Sequence, residues 1–250
     1  MGRIAIAIVM LGVAAMRADD EVPSEKLKAG GDDKKEYYLI GAAKDRKAPK
    51  DGFGLVVIMP GGDGSAGFHP FVKRLFKNAL PEGYLAVQPV AVKWTEDQEI
   101  VWPTATLKVE KMKFTTEEFV AAVIADVGKK YTLNPARTFT LSWSSSGPAA
   151  YVCSLQEKPI VAGSFVAMSV FKPDLLPELK RAKDHAYYVY HSLDDSICPF
   201  DMAESAAKEL KDAGAKTTLV KYDGGHGWHG DVFGNVQTGI EWLEKNARKK

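Results

Sequence analysis

The sequence predicts one doubly wound α/β domain, a mostly parallel sheet with helices on both faces. Two observations carry this. Short β-rich runs alternate with amphipathic helical patterns along most of the chain, the mark of βαβ units. The run Leu55–Met59 is apolar at every position, as strands buried on both faces of a parallel sheet are. Length agrees: 250 residues, 46% apolar and 26% charged, suit a single soluble domain with a full core.

In chain order, Met1-Gly2-Arg3 precedes twelve apolar or small residues, Ile4 to Ala15, and then Asp19-Asp20-Glu21. A basic start, a short apolar run and small residues at its end match a secretory signal peptide over residues 1–18, with cleavage near 15–18. The run is too short to span a bilayer comfortably, and no cysteine closes it, so no membrane or lipid anchor is expected. Residues 19–36 read as a loose charged arm. The single domain then covers 37–250, with strands expected at Tyr37–Ile40, Leu55–Met59, Tyr84–Val87, Thr138–Leu141, Val161–Met168, Ala186–Tyr190 and Thr217–Tyr222. Helices are expected at His69–Ala79, from an N-cap at Thr116 to about Tyr131, and at Pro148–Leu155, Met202–Ala213 and Val232–Arg248. Between Val90 and Phe114 there is no clear periodicity, and a loop that long inside a compact domain is usually either functional or an element left unassigned.

A net charge of +1 gives no reason to invoke nucleic acid. Cys153 and Cys198 lack metal-ligand spacing, so no metal is expected, and they read equally as a pair or as two buried thiols.

Ligands of open parallel sheets bind beyond the carboxyl ends of the strands, so the loops there are where chemistry belongs. Four carry suitable residues. Pro60-Gly61-Gly62-Asp63-Gly64 exposes backbone N–H groups to a small anion, but lacks the Lys-Ser/Thr of a phosphate-binding loop. Ser142-Trp143-Ser144-Ser145-Ser146 sits between a strand and a helix, where the nucleophile elbow G-x-S-x-G occurs, with serine at both glycine positions. Taken alone it reads more simply as a serine-rich helix cap. The third loop, from His191, carries Asp194 and Asp195, and the fourth carries His226 between glycines, with His229 further on. Ser144, then Asp194 or Asp195, then His226 is the chain order of a Ser-Asp-His triad, far less expected by coincidence than any single match.

These residues resemble the α/β-hydrolases of the dienelactone hydrolase, carboxylesterase and polyhydroxybutyrate-depolymerase-like group. The resemblance runs from about Leu55 to Trp242. Val56-Val57-Ile58-Met59-Pro60-Gly61-Gly62 is similar to the family's strand and glycine loop, with proline replacing its histidine. Arg137 to Gly147 aligns with R-x-Y-L-x-G-x-S-x-G-G and puts the nucleophile on Ser144; registering it on Ser145 would set Trp143 where a small residue is needed. His191, Asp195 and Pro199 match H-G-x-x-D-x-x-x-P, which selects Asp195 over Asp194, and Gly224-Gly225-His226-Gly227-Trp228 matches G-G-H-x-W. Dienelactone hydrolases proper use cysteine as nucleophile, so that activity is not implied.

The resemblance implies covalent ester hydrolysis by Ser144, His226 and Asp195 without a cofactor, with the N–H groups of Gly62 and Ser145 as the oxyanion hole. Trp102 and Trp228 are candidates to line a substrate pocket for a small ester or acyl compound, or equally to pack as core, and packing is favoured for at least one of the chain's tryptophans. Two other readings stand beside it: an inactive binding protein of the same fold, motivated by the serine-for-glycine changes, and a lipase or small-peptide hydrolase. Oligomeric state is not legible.

Overall fold

The computed structural model describes residues 22–43 and 46–247. The expected signal segment, residues 1–18, lies outside them. Eight strands form one sheet: β1 (Ser24–Lys28), β2 (Glu36–Ile40), β3 (Phe53–Met59), β4 (Tyr84–Pro89), β5 (Leu133–Trp143), β6 (Gly163–Ala167), β7 (Ala186–Ser192) and β8 (Lys216–Tyr222). Their spatial order is β1-β2-β4-β3-β5-β6-β7-β8. β1 and β2 are antiparallel additions at one edge, and the six strands β3 to β8 run parallel. The helices are α1 (His69–Ala79), α2 (Thr116–Gly128), α3 (Gly147–Ser154), α4 (Phe200–Asp212) and α5 (Val232–Asn246). This is the doubly wound arrangement expected from the alternation of periods.

Strand β3 explains why both faces are covered. Successive side chains point to opposite sides, so Leu55, Val57 and Met59 enter one core with residues of α2, α3 and α4, including Val120, Tyr151 and Leu210. Val56 and Ile58 enter the other core with residues of α1 and α5, among them Leu75 and Ile240. α1 turns Val72, Leu75 and Ala79 inward, leaving Phe71 and Phe76 at the margin.

Three expectations need correction. The arm is not loose throughout, because Ser24–Lys28 is an edge strand. Its side chains are almost all exposed, so it lacks the alternation that marks a half-buried strand, and a Lys26–Glu36 ion pair at 2.9 Å joins it to β2. Lysines on such an edge discourage pairing with other chains. β5 begins at Leu133, five residues early, because its register shifts around Pro135, where a strand tolerates proline. The N-cap of α2 is Thr115, since Glu118 stands three residues after it and completes a reciprocal capping box.

The segment 90–114 has no regular structure, but its part from Val92 to Leu107 is held by side chain–backbone hydrogen bonds. Gln98 binds Trp94 N–H and the carbonyls of Val92 and Ile100, and Glu117 accepts from Ala105 N–H at 3.0 Å. Among the described residues no helix is long and apolar enough to cross a membrane.

Candidate active site

The site lies where the parallel strands end. β5 delivers Ser144 with φ +54°, a left-handed conformation uncommon for a residue with a side chain. Such strain persists only where the surroundings over-determine it, and here they do. The Ser146 hydroxyl donates to the Met59 carbonyl at 2.7 Å and accepts from Trp143 N–H at 3.1 Å. The Ser169 hydroxyl donates to the Ser144 carbonyl at 2.6 Å. A short 3-10 turn, Ser144–Ser146, then leads into α3.

The serine-for-glycine changes have a structural account. Ser142 and Ser146 are fully buried, and the Ser142 hydroxyl donates to the Phe165 carbonyl at 3.2 Å. Neither position is sterically closed. The close approaches fall on Gly61, where an added Cβ would lie 2.6 Å from the Trp143 carbonyl oxygen, and on Gly147, where it would lie 2.1 Å from Ser169 Oγ.

From the far side comes His226, whose Nε2 is 2.9 Å from Ser144 Oγ and whose Nδ1 is 2.8 Å from Asp195 Oδ2. The carboxylate only accepts, so Nδ1 carries the hydrogen and Nε2 is left to accept from the serine. Asp195 Oδ1 accepts from the N–H groups of Ile197 and Cys198, at 2.9 and 2.8 Å. Burial raises the Asp195 pKa, but the Cys198 N–H, His226 and the Ile197 N–H outweigh it, holding the group below the usual carboxylate value. Asp194 is exposed and points elsewhere. It accepts from the Ser192 hydroxyl and from the N–H groups of Gly225 and Gly224, which hold its pKa at about 2. It therefore pins the backbone that carries His226. The Tyr222 hydroxyl secures the same loop through the Gly227 carbonyl at 2.7 Å.

Gly62 and Ser145, the expected oxyanion donors, are brought together: the Ser145 hydroxyl donates to the Gly62 carbonyl at 2.9 Å. That bond engages the Ser145 hydroxyl, while the Ser144 hydroxyl meets His226. Asp63 accepts from Ser65 N–H and serves its own turn.

The two tryptophans divide. Trp228 is half-buried beside the histidine, edge-on to Trp143 with ring centroids 5.8 Å apart. Trp102 does not line the site. It is 3% exposed, its indole N–H donates to the Pro60 carbonyl at 3.0 Å, and its ring packs under Gly64.

Cys153 and Cys198 are both buried and unpaired. Burial, with the Asp195 charge adding to it, pushes the Cys198 thiol up to about 11. Asp195, Cys198 and His226 bring an oxygen, a sulfur and a nitrogen within 4.8 Å of one another, a set able to meet a metal ion only by giving up the histidine–carboxylate bond.

Two further neighbours support the site. His191, visible only as a motif match, is buried against Asp195, and Ser169 buttresses the elbow from a loop that carries no signal of its own.

The fold is that of the α/β-hydrolases. Solved structures similar to it include a thermostable esterase from Pseudomonas putida, 15% identical, with 92% of this chain and 84% of that one covered and a TM-score of 0.65. An alpha/beta hydrolase enzyme from a Medee basin deep-sea metagenome library is 14% identical over 90% of this chain and 97% of its own, with a TM-score of 0.62. Esterase 2 of Thermogutta terrifontis, phosphorylated by paraoxon, is 17% identical over 91% and 94%, with a TM-score of 0.60. No protein-family model and no curated protein matches the sequence.

Proposed function

We propose that this chain is a serine hydrolase acting on carboxylic esters of small molecules. The observation that carries the proposal is the continuous hydrogen-bond chain from Ser144 Oγ through His226 to Asp195, at 2.9 and 2.8 Å. The similarity in fold to esterases, one of them phosphorylated by paraoxon, is consistent with it.

In the proposed reaction His226 Nε2 takes the proton of Ser144 as Oγ attacks the ester carbonyl carbon. The carbonyl electron pair moves onto oxygen, which the N–H groups of Gly62 and Ser145 receive, each contributing about 3 kcal/mol in comparable sites. Collapse of the tetrahedral intermediate expels the alcohol, protonated by His226. Water, deprotonated by the same nitrogen, then releases the acid. Asp195 holds the hydrogen on Nδ1 and stabilises the imidazolium. No step calls for a cofactor. Export through residues 1–18 belongs to the proposal, and N-terminal sequencing of protein recovered outside the cytoplasm tests it.

A fluorophosphonate probe tests the chemistry without knowledge of the substrate. It should label the wild-type protein, and Ser144→Ala should abolish labelling. Labelling lost in Ser145→Ala but kept in Ser144→Ala would move the nucleophile by one residue. A folded protein that never labels would favour a binding protein of the same fold.

A further inference from the structure

A cavity of about 240 Å³ lies between α3, the loop after β4 and the loop after β6. We propose that it receives the acyl group of the ester, selecting a chain of about four to eight carbons or a single ring. This rests on the serine hydrolase reading above and deepens it.

Position is the first argument. Pro148 and Val152 line the cavity and stand four residues apart, so they share one face of α3. The cavity therefore extends one helical turn, about 5.4 Å, from the end of α3 that follows Ser144. Val170 lines the opposite wall and directly follows Ser169, whose hydroxyl holds the Ser144 carbonyl. Its wall and the nucleophile's backbone thus share one support. The cavities around Pro135 and Ala136 lie instead at the early end of β5, remote from Ser144.

The two faces of the sheet separate acyl from alcohol. Tyr151, which lines the cavity, belongs to the core on the α2–α3–α4 face of the sheet. Trp228, two residues beyond His226, packs with the core on the α1–α5 face. The alcohol must leave where His226 can protonate it, so the acyl group, still bonded to Ser144, is the part directed toward the cavity.

Chemistry and size set the class. Ile100 and Leu107 add apolar wall, and the one charged lining residue, Lys172, is exposed. The roof is fixed, because the Thr106 hydroxyl donates to the Leu175 carbonyl at 2.7 Å. An apolar cavity of about 150 Å³ binds benzene, so the present one, somewhat larger, has room for a single ring or a chain of similar size.

The test is kcat/KM for p-nitrophenyl acetate, hexanoate and hexadecanoate, in which only the acyl group varies, with the wild type and with Val170→Trp, which fills the cavity. The wild type should prefer hexanoate over both others by tenfold or more. In the variant the hexanoate-to-acetate ratio should fall at least tenfold. A ratio is indifferent to the fraction of protein that folds, and Val152→Phe gives a second measure. A wild-type preference for acetate or hexadecanoate, or an unchanged ratio in both variants, would overturn the proposal while Ser144 still labels. A wild type that neither labels nor hydrolyses any of the three esters would remove the serine hydrolase reading and this proposal with it.

Discussion

His191 Nε2 lies 3.4 Å from Asp195 Oδ2, the oxygen that also meets His226, and donates to the Cys198 carbonyl at 2.7 Å. A carbonyl only accepts, so the hydrogen on this nitrogen is assigned. The buried ring thus ties both ends of the acid loop, since Cys198 N–H in turn donates to Asp195 Oδ1. His191 is a positioning residue. His191→Phe should lower kcat roughly tenfold with little change in KM, and cost about 1–3 kcal/mol of stability through the orphaned carbonyl. His191→Gln, which keeps a donor at similar reach, should recover most of the kcat. Steady-state kinetics beside urea unfolding of both variants decides this, because a purely structural residue would lose stability without the split between kcat and KM.

Asp194 gives a pH prediction. Its carboxyl is held at about 2 against the usual 3.8, so the unfolded chain binds its proton more readily than the folded one. The contribution to stability is complete above 3.8 and is lost as pH falls through about 2. The stability difference between wild type and Asp194→Asn should be flat at neutral pH and shrink between these values. Thermal unfolding from pH 6 down to about 2 reads it. Because the same carboxylate anchors Gly224 and Gly225, Asp194→Ala should also lower kcat roughly tenfold at neutral pH, where no acid titration intervenes.

What the sequence disclosed follows from which signals are local. β3 is apolar at every position and was legible outright, whereas β1 is polar on nearly every side chain and was invisible until β2 was seen to pair with it. The early half of β5 was hidden by Pro135, which sits where the register slips. Ser144, Asp195 and His226 were legible because each follows a strand end, and strand ends are readable. The serines at 142 and 146 looked like defects in a motif, because their partners, Phe165 and Met59, lie 23 and 87 residues away in sequence. The choice between pocket and core for Trp102 is hidden for the same reason: its partner, Pro60, is 42 residues away.

Trp102 therefore has a clear alternative to test. If it holds the glycine loop from below, Trp102→Phe leaves the Pro60 carbonyl without its donor and opens space under Gly64. Stability should fall by about 2–4 kcal/mol, combining an unsatisfied carbonyl with a small cavity. Differential scanning calorimetry measures this. A lower affinity for substrate at unchanged stability would instead return Trp102 to the binding surface.

Ser146 offers the sharpest test of the elbow. Glycine at this position would restore the usual motif, and pattern alone predicts that it should do no harm. The hydrogen bonds predict the opposite. Without the Ser146 hydroxyl the Met59 carbonyl and the Trp143 N–H lose a buried partner, and glycine adds backbone entropy to the unfolded chain. Ser146→Gly should destabilise by about 2–3 kcal/mol and slow the rate of fluorophosphonate labelling at Ser144, because the hydroxyl no longer ties the strained turn to Met59 of β3. Ser146→Ala should show most of the loss, which separates the hydroxyl from the backbone term. If Ser146→Gly is as stable as the wild type and labels as fast, the hydroxyl has no part in holding Ser144 at positive φ.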